Sequence, residues 1–258
     1  MHVSEAKTLI EELVTSSLKM GVIAGGQLGK MLIQEASRWD ITTYILDPDE
    51  ACSARNVASV YVKGDFTDFE TVYAFGKLVD ILTFELENVN IEALQKLKSE
   101  GLKIVPDPDI LALIQDKGLQ KEFYQKHNIP TSPFTCYENT EEIEEAILSG
   151  KLTYPFVQKL RKGGYDGHGV VLIKSAEDTL LEGASIIEDT IAIAKEIAVI
   201  AARNSACEVR CFPSVEMAFN DQSNLVEEIF CPASISEAES ETVEALAVEI
   251  IEKLNMVG

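Results

Sequence analysis

Apolar positions along the first half of the chain follow two alternating spacings. Short, nearly continuous apolar runs, typical of buried strands, are separated by segments whose apolar residues recur at helical spacing. Strands that alternate with helices in this way predict a doubly wound parallel sheet, an α/β architecture, over residues 19–115. The predicted strands cover 18–24, 42–46, 57–62 and 79–84, and the predicted helices cover 28–37, 69–77 and 91–100.

The second half of the chain has a different pattern, which predicts an α+β domain. Two helices, 108–115 and 118–127, lead into Asn128-Ile129-Pro130, where the proline stops the helix at a candidate boundary. The Ala-rich stretch from Glu188 to Arg203 fits a strand as well as a helix, because its apolar run has no clear period. The other predicted elements are helices at 140–148 and 237–254 and strands at 155–160, 170–174, 191–203, 208–212 and 226–231.

The first residues of the chain form a separate segment. Ile10, Leu13, Val14 and Leu18 recur at helical spacing among acidic residues, whereas a secretory signal has a basic start and an unbroken apolar run. This spacing predicts an amphipathic helix. The predicted division is an N-terminal helical extension over 1–18, a first domain over 19–115 and a second domain over 116–258.

Charge and cysteine content narrow the possible partners. The formal net charge of −21 argues against nucleic acid or an anionic membrane surface, because either would be repelled at long range. A small phosphorylated ligand needs only a local group of backbone N–H donors and lysines.

The five cysteines include no C-x-x-C pair and the three histidines are widely separated, so we expect reduced thiols in the cytoplasm and no multi-histidine metal site. We expect no membrane-spanning segment.

The first glycine-rich loop, Ala24 to Gly29, follows the first predicted strand. It lies where a G-x-G-x-x-G fingerprint would lie, with Ala24 in place of the first glycine. Gly26 allows close backbone approach, Gly29 allows close helix packing, and Asp47 follows about 20 residues later, where a dinucleotide-binding protein places its ribose ligand. The motif is compatible with a phosphate-binding turn or with a tight structural turn that binds nothing.

The second glycine-rich loop, within Pro155 to Val170, is more specific. Its four glycines lie between two apolar strands and directly follow three basic residues, Lys159, Arg161 and Lys162. A glycine-rich hairpin can fold over a polyphosphate and offer backbone N–H donors, while a lysine at a strand end supplies a point charge. The loop is not a Walker motif, and the alternative is an ordinary long hairpin.

Glu196 lies inside an apolar segment, where an ionised carboxylate needs partners. A pair of ligand hydroxyls would supply them. The alternatives are an ion pair with Lys195 or Arg203, or an edge position that faces water.

Five motifs in this order resemble the 5-(carboxyamino)imidazole ribonucleotide synthetase family. They are GGQLGKM from Gly25, LTFELENV from Leu82, QDKGLQKEF from Gln115, NIPTSPF from Asn128, and the Lys159 strand with GGYDGHG. The resemblance extends from about Met20 to the end of the chain. It implies a pre-ATP-grasp α/β domain followed by an α+β ATP-grasp domain.

The resemblance also implies a reaction and its ligands. The family uses ATP with Mg²⁺ to phosphorylate bicarbonate, and the exocyclic amine of aminoimidazole ribonucleotide captures the carboxyl group. This step of purine biosynthesis releases ADP and phosphate. A cytoplasmic enzyme and a possible homodimer are expected on the same ground.

The resemblance assigns roles to individual residues by motif position. Tyr165 and Asp166 would be catalytic, with Asp166 orienting or deprotonating the attacking amine. Lys117 and Lys159 would hold ATP phosphates, and Glu196 would bind the ribose. The other implied ATP-binding residues are Gly164, Tyr165, Asp166, Gly167, His168, Gly169 and Val170 in the flap and Glu188, Asp189, Thr190 and Ile191 at the adenine. The implied substrate-binding residues are Gly26, Gln27, Leu28, Glu85 and Glu87.

The chain departs from the family pattern at three places. His168 stands where the family commonly has arginine or lysine, and Met217 and Phe219 replace polar residues of an E-N-x-H pattern. The sequence ends at LNMVG, before the family's magnesium-binding glutamate and its N-E-x-A-P-R segment. We therefore expect an incomplete ATP-grasp domain that binds nucleotide with little turnover and has its metal ligands outside this chain.

Three other functions remain compatible with the sequence. The chain could be another ATP-grasp ligase acting on a different acceptor, or a nucleotide-binding module that performs no chemistry. An NAD-dependent oxidoreductase rests on the first glycine loop alone, and the second half offers no matching βαβ unit.

Overall fold

The computed structural model describes residues 17–164, 169–219 and 226–258. Almost all of the predicted helical extension over 1–18 therefore lies outside the described residues. The chain divides between Ala112 and Leu113 into two compact units. Among the described residues, every helix is too short or too polar to cross a lipid bilayer.

The first unit is built on a five-stranded sheet in the order β3-β2-β1-β4-β5. Every pair in this sheet is parallel, which confirms the predicted α/β architecture. The elements are β1 (Lys19–Ile23), α1 (Gln27–Ser37), β2 (Thr42–Asp47), β3 (Val60–Lys63), α2 (Phe69–Gly76), β4 (Ile81–Phe84), α3 (Ile91–Ser99) and β5 (Lys103–Ile104), and α4 (Pro108–Gln115) crosses the division between the units.

Two hydrophobic clusters cover this sheet, because buried parallel strands present apolar residues to both faces. One cluster joins Ile23 and Leu46 to Phe75 and Leu94 of helices α2 and α3. The other joins Val22 and Ile45 to Ile33 of α1 and to Ala54. Neighbouring residues of one strand thus pack on opposite sides, and the sheet holds the carboxyl ends of β1, β2 and β4 in a fixed row.

The second unit contains a four-stranded antiparallel sheet in the order β6-β9-β7-β8, a three-stranded sheet in the order β10-β13-β14, and the pair β11-β12. Ile143, Phe156, Ile173 and Ile187 form the core behind the four-stranded sheet. The elements are α5 (Lys117–Lys126), β6 (Phe134–Tyr137), α6 (Thr140–Leu148), β7 (Phe156–Leu160), β8 (Val170–Ile173), β9 (Ser185–Asp189), β10 (Glu196–Ala198), β11 (Ala201–Arg203), β12 (Val209–Cys211), β13 (Val215–Phe219), β14 (Val226–Phe230) and α7 (Glu237–Lys253).

The structure contains four strands that the sequence did not predict, and the limits of others differ from the predicted ones. The strands β5, β6, β9 and β13 were not predicted. The segment predicted as one strand over 191–203 forms two short strands, β10 and β11, rather than a helix or a single strand. The predicted strand at 57–62 begins only at Val60, after a run of turns. Short strands carry little periodicity of their own, and pairing with neighbours far along the chain decides their limits.

Candidate functional site

The first glycine loop lies at the carboxyl ends of β1 and β2. The Gly25 N–H donates to Asp47 Oδ2 at 2.7 Å, and the Asp49 N–H donates to Asp47 Oδ1 at 2.8 Å. Ala24, which replaces the first glycine of the fingerprint, adopts the left-handed φ of 76° that the turn requires. Each oxygen of Asp47 therefore accepts one backbone hydrogen bond, and these bonds fix the glycine loop against the turn that follows β2.

Three of the predicted substrate residues of the first unit belong to this loop, and the other two follow β4. Gly26 caps α1, and Gln27 and Leu28 begin its first turn. Glu85 follows β4, and its carboxylate reaches Gly26 so closely that a Cβ added there would lie 3.4 Å from Oε2. Burial, and then the charge of Asp47, raise the pKa of Glu85. Glu87 lies in the loop that precedes α3. The fold thus places Gly26 and a carboxyl group with a raised pKa at one edge of the sheet.

Gly29 fixes the approach of α1 to the end of β1. A Cβ added at Gly29 would lie 2.6 Å from the backbone oxygen of Ala24. We expect Gly29→Ala to lower the free energy of unfolding by about 1–2 kcal/mol, because a backbone oxygen can move only with the loop. Urea unfolding followed by circular dichroism measures this effect. The exposed residue Gln34 on the same helix provides the control Gln34→Ala, and equal stability of the two variants would contradict the expectation.

Two lysines and one glutamate meet on the four-stranded sheet of the second unit. Lys159 Nζ of β7 lies 2.7 Å from Glu188 Oε2 of β9, and Lys121 Nζ of α5 lies 2.7 Å from Glu188 Oε1. The strands bring the first pair together because they are antiparallel neighbours, with Val157 opposite Glu188. The cluster formed by Lys121, Lys159 and Glu188, called the lysine–glutamate cluster below, carries one surplus positive charge.

The members of this cluster differ in exposure. The side chain of Glu188 is 7% exposed, that of Lys121 is 12% exposed and that of Lys159 is 29% exposed. Burial alone raises the pKa of Glu188, but its pairing with Lys121 and Lys159 more than offsets this, so its pKa is lower than usual. Glu188 is therefore a buried anion, and Lys159 is the member most open to a ligand.

A second ion pair holds the start of the glycine-rich hairpin to α5. Arg161 donates to both oxygens of Asp116, from Nε at 2.9 Å and from Nη2 at 3.1 Å. Asp116 also caps α5 by accepting from the N–H groups of Gly118 and Leu119. The backbone N–H of Lys117 donates to the Arg161 oxygen at 2.9 Å. The first residue of α5 is thus fixed against the residue that opens the hairpin.

The described part of the hairpin is shaped by glycine. Gly163 and Gly169 adopt left-handed φ values of 76° and 75°, which favour glycine. Lys117 Nζ lies 3.5 Å from the Gly164 oxygen, so this ammonium sits beside the loop. Val170 begins β8. The predicted residues Tyr165, Asp166, Gly167 and His168 lie outside the described residues.

The remaining predicted nucleotide residues follow Glu188. Asp189 ends β9, Thr190 and Ile191 come directly after it, and Ile191 is exposed. Glu196 begins β10 opposite Met217 and is half-buried. Lys195 and Arg203, the two residues considered as ion-pair partners of Glu196, contact other groups. Lys195 pairs with Glu216, and Arg203 donates to the Met256 oxygen and to Cys207.

Lys121 and Asp116 also belong to the site, although the sequence did not predict a role for them. Lys121 lies one helical turn after Lys117, and this i, i+4 spacing could have indicated that both ammonium groups lie on one face of α5. The ion pair of Lys121 with Glu188 could not be found in this way, because β9, the strand that carries Glu188, was not predicted. Among the residues that the structure describes, there is no group of three or more histidine, cysteine, aspartate or glutamate side chains that could hold a metal ion.

Both units match domains of known protein families. Residues 17–115 match the ribonucleotide synthetase preATP-grasp domain, and residues 122–258 match the ATP-grasp domain. The N5-carboxyaminoimidazole ribonucleotide synthase of Staphylococcus aureus strain COL is 32% identical over 246 residues, which are 93% of this chain and 64% of that protein.

Two solved structures are similar to this chain over nearly its whole length. The N5-carboxyaminoimidazole ribonucleotide synthetase of Thermotoga maritima is 35% identical with a TM-score of 0.82, over 93% of this chain and 62% of that one. The N5-carboxyaminoimidazole synthase of Aspergillus clavatus, in complex with ADP and 5-aminoimidazole ribonucleotide, is 29% identical with a TM-score of 0.82, over 92% of this chain and 63% of that one. This chain therefore spans less than two thirds of the length of these relatives.

Proposed function

This chain belongs to the N5-carboxyaminoimidazole ribonucleotide synthase family of ATP-grasp proteins, and from that membership we propose that it is part of an ATP-dependent carbon–nitrogen ligase. In the proposed reaction, bicarbonate takes the terminal phosphoryl group of ATP and releases ADP. The exocyclic amine of 5-aminoimidazole ribonucleotide then forms a bond to the carboxyl carbon, loses a proton and displaces phosphate. The Aspergillus clavatus relative was solved with ADP and 5-aminoimidazole ribonucleotide bound, which supports ATP and 5-aminoimidazole ribonucleotide as substrates.

The observation that carries the nucleotide part of the proposal is the lysine–glutamate cluster beside the glycine-rich hairpin. Its surplus positive charge and the ammonium of Lys117 suit the phosphates of a nucleotide, since charge-assisted hydrogen bonds are the strong ones. In this assignment Lys117 and Lys159 hold phosphates. The backbone from Glu188 to Ile191 contacts the adenine, and Glu196 accepts from the ribose hydroxyls. Positioning and charge neutralisation would be the main contribution of these groups to phosphoryl transfer.

The first unit supplies the proposed substrate residues. Gly26, Gln27 and Leu28 would approach the ribonucleotide with backbone N–H groups at the start of α1. Glu85 has a raised pKa and would accept or donate a hydrogen bond at the imidazole, with Glu87 as the neighbouring candidate. Tyr165 and Asp166 keep their proposed roles toward the amine on the basis of the family motif alone.

A magnesium ion is expected with the nucleotide, but the described residues do not fit a protein site for it. Mg²⁺ prefers carboxylate oxygens, and the described residues contain no suitable group of three or more ligands. We therefore assign no step to the metal.

All five cysteines are unpaired thiols, which supports the proposed cytoplasmic location. The homodimer remains a prediction from the family resemblance, and light scattering tests it.

Two measurements on this chain test the proposal. Calorimetric titration with ADP is expected to give saturable binding, whereas NADH is expected to give none. Phosphate release from ATP with bicarbonate is then compared between 5-aminoimidazole ribonucleotide and glycinamide ribonucleotide as acceptors. Stimulation by the first acceptor supports the ligase assignment, and stimulation only by the second indicates another ATP-grasp ligase. Because this chain is expected to have little turnover, ADP binding without any stimulated release supports the nucleotide site but not the ligase assignment, and absence of ADP binding refutes the nucleotide site.

A further inference from the structure

We propose that Lys121 is a positioning residue that neutralises the buried carboxylate of Glu188 and thereby leaves the charge of Lys159 available to a nucleotide phosphate. The inference rests on the proposed nucleotide site and adds to it a residue that touches no phosphate. The bridge from Lys121 to Glu188 and on to Lys159, with 2.7 Å between each pair of charged atoms, is the observation that carries it.

Lys121 is held in place from several sides. Its ammonium donates to the hydroxyls of Thr131 and Ser132, the latter at 2.8 Å. It also lies 5.9 Å from the ring centre of Phe134, the residue that pairs with Glu188 across β6 and β9. With 12% of its side chain exposed, Lys121 is directed into the sheet and away from solvent. These contacts suit a fixed counter-ion better than a group that moves to meet a ligand.

Glu188 needs this counter-ion because its own surroundings provide little else. An ionised carboxylate that is 7% exposed is costly unless an opposite charge stays beside it. Lys159 could supply that charge alone, but its ammonium would then be neutralised by Glu188 when a phosphate arrives. With Lys121 present, two ammonium groups face one carboxylate. One unit of positive charge remains for the phosphate, and it is located on the more exposed lysine.

The proposal is tested by removing the charge of Lys121 and titrating with ADP. We expect Lys121→Met to weaken ADP binding by about tenfold, although the substituted side chain does not reach the ligand, because Glu188 then neutralises Lys159. Lys126 lies on the exposed surface of the same helix, and Lys126→Met makes the same change of charge. The control is expected to change the affinity less than twofold. Equal affinity of Lys121→Met and the unmodified chain would overturn the proposal.

A second pair of variants separates this role from a structural one. In a Glu188→Gln background the buried anion is gone, so Lys121→Met should change ADP affinity less than twofold. A merely structural role for Lys121, or direct contact with the ligand, would instead preserve the tenfold loss in that background and would overturn the proposal. This comparison also applies if Lys121→Met alone does not fold, because the double variant has no unpaired buried carboxylate.

An error in the proposed nucleotide site and an error in the role of Lys121 give different results in these titrations. If the unmodified chain binds no ADP, the proposed nucleotide site is wrong and the role of Lys121 is refuted with it. If the unmodified chain binds ADP and the Lys121 variants follow the Lys126 control, the nucleotide site stands and only the counter-ion role is overturned.

Discussion

Lys159→Met is expected to weaken the binding of ADP and ATP by about 30- to 150-fold, the equivalent of about 2–3 kcal/mol for a lost hydrogen bond from a charged donor. Lys159 is the member of the lysine–glutamate cluster with the largest exposed fraction, and it lies on β7, the strand that leads into the glycine-rich hairpin. A phosphate beside this strand would lose its nearest point charge. Isothermal titration calorimetry with each nucleotide measures the change directly.

The fold should survive this substitution. Glu188 keeps Lys121 at 2.7 Å, so the carboxylate is still paired when Lys159 is gone. Lys174 follows the neighbouring strand β8 at its end away from the glycine-rich loop and is exposed, which makes Lys174→Met a matched loss of one charge on the same sheet. We expect the control to bind nucleotide within twofold of the unmodified chain. Unchanged affinity in Lys159→Met would contradict the assignment of this sheet as the phosphate site.

The order of most elements could be predicted from sequence because local signals mark them. Helices α2, α3 and α6 begin after Asp68, Asn90 and Asn139, each of which caps its helix with a side-chain oxygen. The parallel sheet followed from apolar runs that are buried on both faces. In such segments the residue types and the final environment agree, so the pattern alone is sufficient.

Strand β9 shows why other elements could not be predicted. Four of its five residues are buried, yet two of these, Ser185 and Glu188, are polar, which leaves an apolar run of only two residues between them. They are tolerated because distant residues satisfy them: Gln158 donates to Ser185 Oγ at 3.0 Å, and the two lysines pair with Glu188. These partners become visible only after the strands are placed.

The same limit applies to the candidate site. Lys159 and the glycines could be identified because they lie together in sequence. Lys121 gains its significance only from Glu188, which reaches it through the pairing of β6 and β9. Asp47 shows the converse, since its spacing is that of a ribose ligand, whereas in the structure its two oxygens accept hydrogen bonds from the backbone of Gly25 and of Asp49. Sequence spacing finds residues that act locally, whereas contacts between distant segments decide what each carboxylate does.

Arg161→Met is expected to lower the free energy of unfolding by about 3 kcal/mol at neutral pH, because it leaves the buried carboxylate of Asp116 without its bidentate partner. The side chain of Asp116 is 6% exposed, and that of Arg161 is 17% exposed. Burial alone raises the pKa of Asp116, but Arg161 and the capped N–H groups of α5 lower it below its ordinary value of 3.8. Urea unfolding followed by circular dichroism measures the loss.

The pH dependence of this loss identifies its cause. In the unmodified chain the lowered pKa means that Asp116 stabilises the fold above about pH 4, and this contribution disappears as the pH falls through the folded-state value. Without Arg161, burial raises the folded-state pKa, so protonation relieves the carboxylate and the difference between variant and unmodified chain should shrink on acidification. The double variant Arg161→Met/Asp116→Asn keeps an oxygen that can cap α5 but carries no charge, so it should recover most of the stability at neutral pH. A loss that is independent of pH and persists in the double variant would instead assign the effect to the packing of the Arg161 side chain.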